Sequence, residues 1–194
     1  MNELSYSLGV SVGLNLKDQG FEVNSVEDFA QAMNDVLSGN DLAIPAEKVN
    51  EIVNNYFQDL QAKRAAEMQE GQKAFFEENG KREQVTTTDS GLQYEVFTEG
   101  KGEKPAPTDK VTVHYHGTLI DGTVFDSSVQ RGEPASFPVN GVIQGWQQAL
   151  TLMTVGSKWR VFIPSELAYG ERGAGNAIPP HSPLVFDIEL ISID

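Results

Sequence analysis

Proline divides this chain before any other feature does. Of its nine prolines only Pro45 falls within residues 1–88, while Pro105, Pro107, Pro134, Pro138, Pro164, Pro179, Pro180 and Pro183 crowd the remainder. Proline has no backbone N–H and a fixed φ, so helix interiors expel it and turns and strand ends tolerate it. Long uninterrupted helices therefore fit the first part and not the second. Both tryptophans and all three histidines also fall in the second part. The polar run from Lys81 to Ser90 marks the seam, which predicts a helical unit over 1–88 and a β-rich unit over 89–194. A chain of 194 residues has room for one domain or two small ones.

Charge adds exclusions. Acids outnumber bases 28 to 14, a net of −14. Residues 1–88 carry 15 acids and 7 bases (−8) and residues 89–194 carry 13 and 7 (−6), so neither part is a charged tail. Nucleic acid and anionic membrane are poor partners for such a surface, because phosphate binding needs clustered Lys and Arg. Cysteine is absent, which removes disulfides, thiol nucleophiles and Cys-type metal sites. No apolar run approaches the ~20 residues that span a bilayer. The start carries Glu3 and no basic residue before Lys17, unlike a signal peptide. That reads as cytoplasmic for the chain as it stands, and as periplasmic or exported where a leader has been removed.

In the first part, Ser25 opens a capping-box-like Ser-x-x-Asp with Asp28. Val26, Phe29, Ala30, Met33, Val36 and Leu37 follow at helical spacing until Gly39. Pro45 suits a first turn, and Val49, Ile52, Val53, Tyr56, Phe57 and Leu60 trace an apolar stripe on a second helix. The pattern runs on to Asn79-Gly80, but no apolar stripe is visible between Lys63 and Lys73, so the distal half reads as a solvated spacer. Leu4 to Leu16 alternates as a strand would, yet Ser5, Gly9 and Gly13 lie four apart as on a helix face, and a lone strand would lack a partner. Helix is the preferred reading. Three helices in so short a unit make a marginal core, which predicts dimerisation through this part.

The second part shows β character at Leu92 to Phe97, Val111 to Leu119, Lys158 to Pro164 and Leu184 to Ile193, with a hairpin signal at Asp121-Gly122. One short helix, Trp146 to Met153, interrupts these segments, so the fold class is α+β, an antiparallel sheet wrapped over one helix. Tyr115, Phe125, Phe137, Trp146, Tyr169 and Phe186 supply an aromatic cluster that suits a core as readily as a pocket.

Five motifs occur in order: Val-His-Tyr-His-Gly at 113–117, Gly-Thr-Val-Phe-Asp-Ser-Ser at 122–128, Val-Ile-Gln-Gly-Trp at 142–146, Ala-Tyr-Gly at 168–170, and Ile-Pro-Pro-His-Ser-Pro-Leu-Val-Phe-Asp at 178–187. Together they resemble the FKBP-type peptidyl-prolyl isomerases over about half the chain. The acidic helical part resembles the dimerisation module of the bacterial macrophage infectivity potentiator-like branch of that family.

The resemblance implies a half-barrel sheet around one helix, with a hydrophobic cleft for a prolyl residue. Trp146 would floor it, and Tyr115, Phe125, Phe137, Val142, Ile143, Tyr169, Ile178 and Phe186 would line it. Asp126 would sit at the polar edge, held by Tyr115 and Arg131. Asp126, the Tyr169 hydroxyl and the Ile143 backbone N–H are the catalytic candidates. Ala135 and Ala174 replace an aromatic and a histidine of the best-known single-domain members, which would open one wall and loosen macrolide inhibitors. The implied partners are proline-containing polypeptides, unfolded proteins and a second copy of the chain. No cofactor or metal is called for, because rotation about a peptide bond breaks no bond.

Competing readings rest on single residues. His114 and His116 share one strand face, a geometry compatible with a metal, but no third ligand is evident and a strand with one polar face accounts for them. His181 beside Pro179-Pro180 reads as a loop residue rather than a base. Asp121 and Asp126 as a hydrolytic carboxylate pair give way to a turn role for Asp121. An alternative of another class is a dimeric holdase chaperone in which isomerisation is incidental.

Overall fold

A computed structural model describes residues 1–194. Its internal packing divides the chain into two compact units, Met1–Gln58 and Asp59–Asp194.

The first unit is helical throughout. Helix α1, Glu3–Asp18, starts where the Asn2 side chain accepts from the Ser5 N–H at 3.0 Å. The alternating pattern of this segment is thus carried on a helix. A strand would have had no neighbour here to take its backbone hydrogen bonds. Helix α2, Val26–Ser38, is capped by Ser25, whose hydroxyl accepts from Asp28 N–H, and it ends at Gly39 in the left-handed region (φ 69°). Helix α3, Ala46–Asn79, is a single element of 34 residues. Phe21, in the α1–α2 connection, packs against Tyr56 and Phe57 with ring centroids 5.6 and 4.8 Å apart. Little else in this unit is shielded: Leu4 and Leu37 are 71% and 79% exposed.

The second unit begins within α3, and here the spacer reading is corrected in part. Most residues of the distal half of α3 are exposed, as a spacer's would be, but one face of its last three turns packs against the sheet unit. Phe75 covers Phe162 at 5.9 Å between ring centroids, which leaves Phe162 only 4% exposed. Gln72 donates to the Glu166 carboxylate and accepts from the Ser165 N–H at 2.8 Å. Asn79 donates to Gln93 at 2.8 Å, and Gln93 in turn donates to the Phe76 carbonyl, which also accepts the Gly80 N–H at 3.0 Å where the helix ends. Polar side chains supply most of this packing, so no apolar stripe announced it.

Seven antiparallel strands follow: β1 Val85–Thr87, β2 Gln93–Thr98, β3 Lys110–Leu119, β4 Val124–Ser127, β5 Ala135–Pro138, β6 Lys158–Ile163 and β7 Leu184–Ile193. Their order is β1-β2-β6-β7-β3-β4, with β5 also paired to β3. The polar seam therefore contains a strand of its own, β1. Alternation places Val111, Val113 and Tyr115 of β3, and Leu184, Phe186, Ile188 and Leu190 of β7, on the inner face. Helix α5, Gln144–Leu152, fills that face with Trp146, Ala149 and Leu150, and Met153 just beyond it continues the same stripe. Gly145 lets the helix seat closely, since a Cβ there would lie 2.4 Å from Ile163 Cγ2.

The outer edge of β3 is divided between two partners. Strand β5 pairs with Lys110–Val113, and β4 pairs with His116–Thr118. At the gap, the buried Ser128 hydroxyl on the one-turn helix α4, Ser128–Arg131, accepts from the Tyr115 N–H at 2.7 Å. It stands in for a missing strand.

Candidate active site

Where α5 begins, the curved sheet leaves a cleft of about 340 Å³, a volume suited to a small organic group. Tyr115 of β3, Phe125 and Asp126 of β4, Phe137 of β5, Trp146 of α5 and Phe186 of β7 converge on it, with Gly141, Val142 and Ile143 from the turn before α5 and Tyr169 from the β6–β7 loop. The indole of Trp146 is buried and meets Tyr115, Phe137 and Phe186 edge to face, at centroid distances of 5.4, 6.0 and 5.2 Å. Gly117 permits the same crowding, because a Cβ there would lie 2.7 Å from the Phe125 ring and 2.8 Å from that of Phe186.

One polar network edges this apolar space. The Tyr115 hydroxyl donates to Asp126 Oδ2, Arg131 Nη1 donates to Asp126 Oδ1, and Arg131 Nη2 donates to the Tyr115 oxygen at 2.8 Å. Burial pushes the Asp126 carboxyl up, but the hydrogen bonds from Tyr115 and Arg131 together outweigh it and hold the group below the usual carboxylate range. Burial, reinforced by the bond to Asp126, raises the Tyr115 hydroxyl above the ordinary tyrosine range. The network thus presents a fixed carboxylate against a guanidinium, and its members are committed to one another. By contrast, the Tyr169 hydroxyl and the Ile143 backbone N–H have no partner within the chain. Gln147 steadies the segment beside Ile143 by donating to the Val142 carbonyl at 2.7 Å.

The expected residues divide as follows. Asp126, Tyr169, Ile143, Tyr115, Phe125, Phe137, Val142, Trp146 and Phe186 all face the cleft, whereas Ile178, itself within the β6–β7 loop, is buried with the core cluster and paired with Ala174 by an isolated bridge. Arg131 acts from outside the lining. Neither Ala135 nor Ala174 reaches it. His114 and His116 do not converge: Ser128 and Ser127 engage them separately, at 3.0 and 2.9 Å. Asp121 accepts from Thr123 N–H in the β3–β4 turn. Sequence reasoning missed Gly141, which carries no side chain to mark it. It also missed the structural part played by Ser128, although the pair Ser127-Ser128 stood within a quoted motif.

Comparison with known proteins bears directly on this arrangement. Residues 101–191 match the family model for FKBP-type peptidyl-prolyl cis-trans isomerase, and residues 1–96 match that of the domain amino terminal to it. A relative from Escherichia coli (strain K12), an FKBP-type 22 kDa peptidyl-prolyl cis-trans isomerase, is 52% identical over 195 residues, covering 98% of this chain and 94% of its own. The chain belongs to the FKBP-type peptidyl-prolyl cis-trans isomerase family. A second relative, the outer membrane protein MIP of Legionella longbeachae, is 43% identical, with 99% of this chain and 85% of that one aligned. The crystal structure of FkpA from Escherichia coli superposes with a TM-score of 0.78 at 34% identity, covering 99% of this chain and 95% of that one. The α+β architecture of helices followed by a sheet around one short helix is thus the FKBP-type fold in its two-part form. No helix is long and apolar enough to cross a membrane.

Proposed function

We propose that the cleft accelerates cis–trans exchange of X–Pro bonds by holding the proline ring against Trp146 while the peptide bond rotates. The observation that carries this reading is the pairing of an open cleft walled by aromatic rings with two uncommitted donors, Tyr169 hydroxyl and Ile143 N–H. Resonance gives the planar amide its ~18–20 kcal/mol barrier and most of its dipole. A dry aromatic wall solvates that planar form poorly, whereas the twisted form loses resonance and is penalised less. Donors that meet the carbonyl only as it turns stabilise the transition state specifically. Asp126, fixed by Tyr115 and Arg131, contributes charge at the polar edge without exchanging a proton. No step requires a metal or cofactor.

The substrates of this reading are proline-containing polypeptides, including unfolded chains, and macrolides are its candidate inhibitors. Residues 89–194 carry the chemistry. Residues 1–88 join two copies, an assignment supported by the exposed apolar residues of α1 and α2. A short proline-containing peptide assayed with the full chain decides the catalytic reading: exchange is expected to exceed the uncatalysed rate and to fall at least about tenfold in Trp146→Leu. Failure of the full chain to accelerate exchange overturns it.

A further inference from the structure

The loop from Pro164 to Pro183, between β6 and β7, supplies one cleft residue, Tyr169, and that residue has no anchor of its own. The residue is 41% exposed and its hydroxyl is unpartnered. Its position comes from the chain on either side. Just upstream, the 3-10 turn Ser165–Leu167 is closed by Leu167 N–H donating to the Pro164 carbonyl and Ala168 N–H donating to that of Ser165. Downstream, His181 N–H donates to the Gly170 carbonyl at 2.8 Å. Both shoulders are met by one face of α3, where Gln69 and Gln72 stand one turn apart. Gln69 Nε2 lies 3.3 Å from His181 Nδ1. Gln72 makes the more demanding contact: its Nε2 donates to both Glu166 carboxylate oxygens at 3.1 Å while its Oε1 accepts the Ser165 N–H at 2.8 Å.

That last bond matters because Ser165 is 1% exposed and its own hydroxyl is already unpaired. A buried backbone N–H deprived of its acceptor has no water to turn to. The turn would have to move to recover a partner, and Tyr169 lies four residues along. A carboxamide is also the side chain that can donate to a carboxylate and accept from an N–H at once. Glutamate at this position would keep the acceptor but set two carboxylates against each other.

We propose that Gln72 is a positioning residue for the isomerase reaction, acting through the Ser165–Leu167 turn to set the place of Tyr169 in the cleft. This rests on the isomerase reading above. The test uses the full chain with carbon-13-labelled tyrosine and two readouts, peptide exchange kinetics and the Tyr169 ring resonances. Gln72→Glu is expected to move the Tyr169 signals, leave those of Tyr115 in place and lower kcat/KM by about three- to tenfold. Gln72→Ala, which removes the acceptor of the Ser165 N–H altogether, is expected to move them at least as far. Combining Gln72→Glu with Glu166→Gln restores the bridge with its polarity reversed, since the new carboxylate accepts from both Ser165 N–H and the new amide. That double variant is expected to return both readouts to within about twofold of the parent. In a Tyr169→Ala background, Gln72→Glu should cost less than about twofold. Unmoved Tyr169 signals, a double variant as impaired as the single, or a loss that persists without Tyr169 each overturn the proposal. If the parent fails to catalyse exchange while the ring signals follow this pattern, the isomerase reading falls and the positioning role stands.

Discussion

Asp126 shows how a single side chain can be charged, partly buried and chemically quiet. Its carboxyl is held below the usual carboxylate range, and the Tyr115 hydroxyl above the ordinary tyrosine range. A depressed carboxyl stabilises the fold at pH above its unfolded value of ~3.9, and that contribution is lost as pH falls through the lower folded value. A raised hydroxyl contributes below its unfolded value of ~10 and loses its contribution as pH climbs through the folded one. Between these limits the network keeps one charge state. Peptide exchange rates are therefore expected to be flat from about pH 5 to pH 9, with the acid fall absent in Asp126→Asn. A bell with a midpoint near neutrality would show that some other group titrates in the reaction.

At the scale of elements, β3 is where the fold and the site meet, because Tyr115 occupies the gap between β4 and β5. Ser128→Ala would leave the Tyr115 N–H without its acceptor in a fully buried place. The expected cost is about 1–3 kcal/mol, read as a lower urea midpoint with an unchanged slope. The same strands show what sequence could carry. Long β3, β6 and β7 announce themselves through inward alternation, as Val111, Val113 and Tyr115 do, and α5 through Trp146, Ala149, Leu150 and Met153 at helical spacing. Strands β1, β4 and β5 are three or four residues long, too short for a period to register, and exist because neighbouring edges need partners. The aromatic cluster was legible from residue type, but its role as a cleft lining rather than a core was implied only by the resemblance of the motifs around it. The hold of α3 on the sheet was not, since Gln72, Asn79 and Gln93 act through hydrogen bonds that leave no apolar periodicity.

For the whole molecule, the exposed apolar residues of α1 and α2 set the expectation. A unit of this size with Leu4, Leu8, Val36 and Leu37 facing water gains stability if they are covered, and we propose a second copy as that cover. Light scattering at micromolar concentration should give twice the chain mass of 21.2 kDa. Paired Leu4→Glu and Leu37→Glu changes should reduce it to one copy while peptide exchange persists. A single-chain mass for the unaltered protein would remove the dimer.

The packing of α3 also bears on how such proteins trade parts. By sequence the helix goes with the amino-terminal portion, yet from Asp59 onward it belongs to the second compact unit, and from Gln69 its side chains contact that unit. A chimera joined near residue 88 would bring in a foreign Gln72 counterpart beneath a resident Ser165, and Phe162 would meet a helix it was not matched to. Joined instead near Gln58, the splice falls inside one helix, and each side keeps the surface it touches. The exchangeable cassette is shorter than the domain boundary suggests, and its edge lies in the middle of a helical rod.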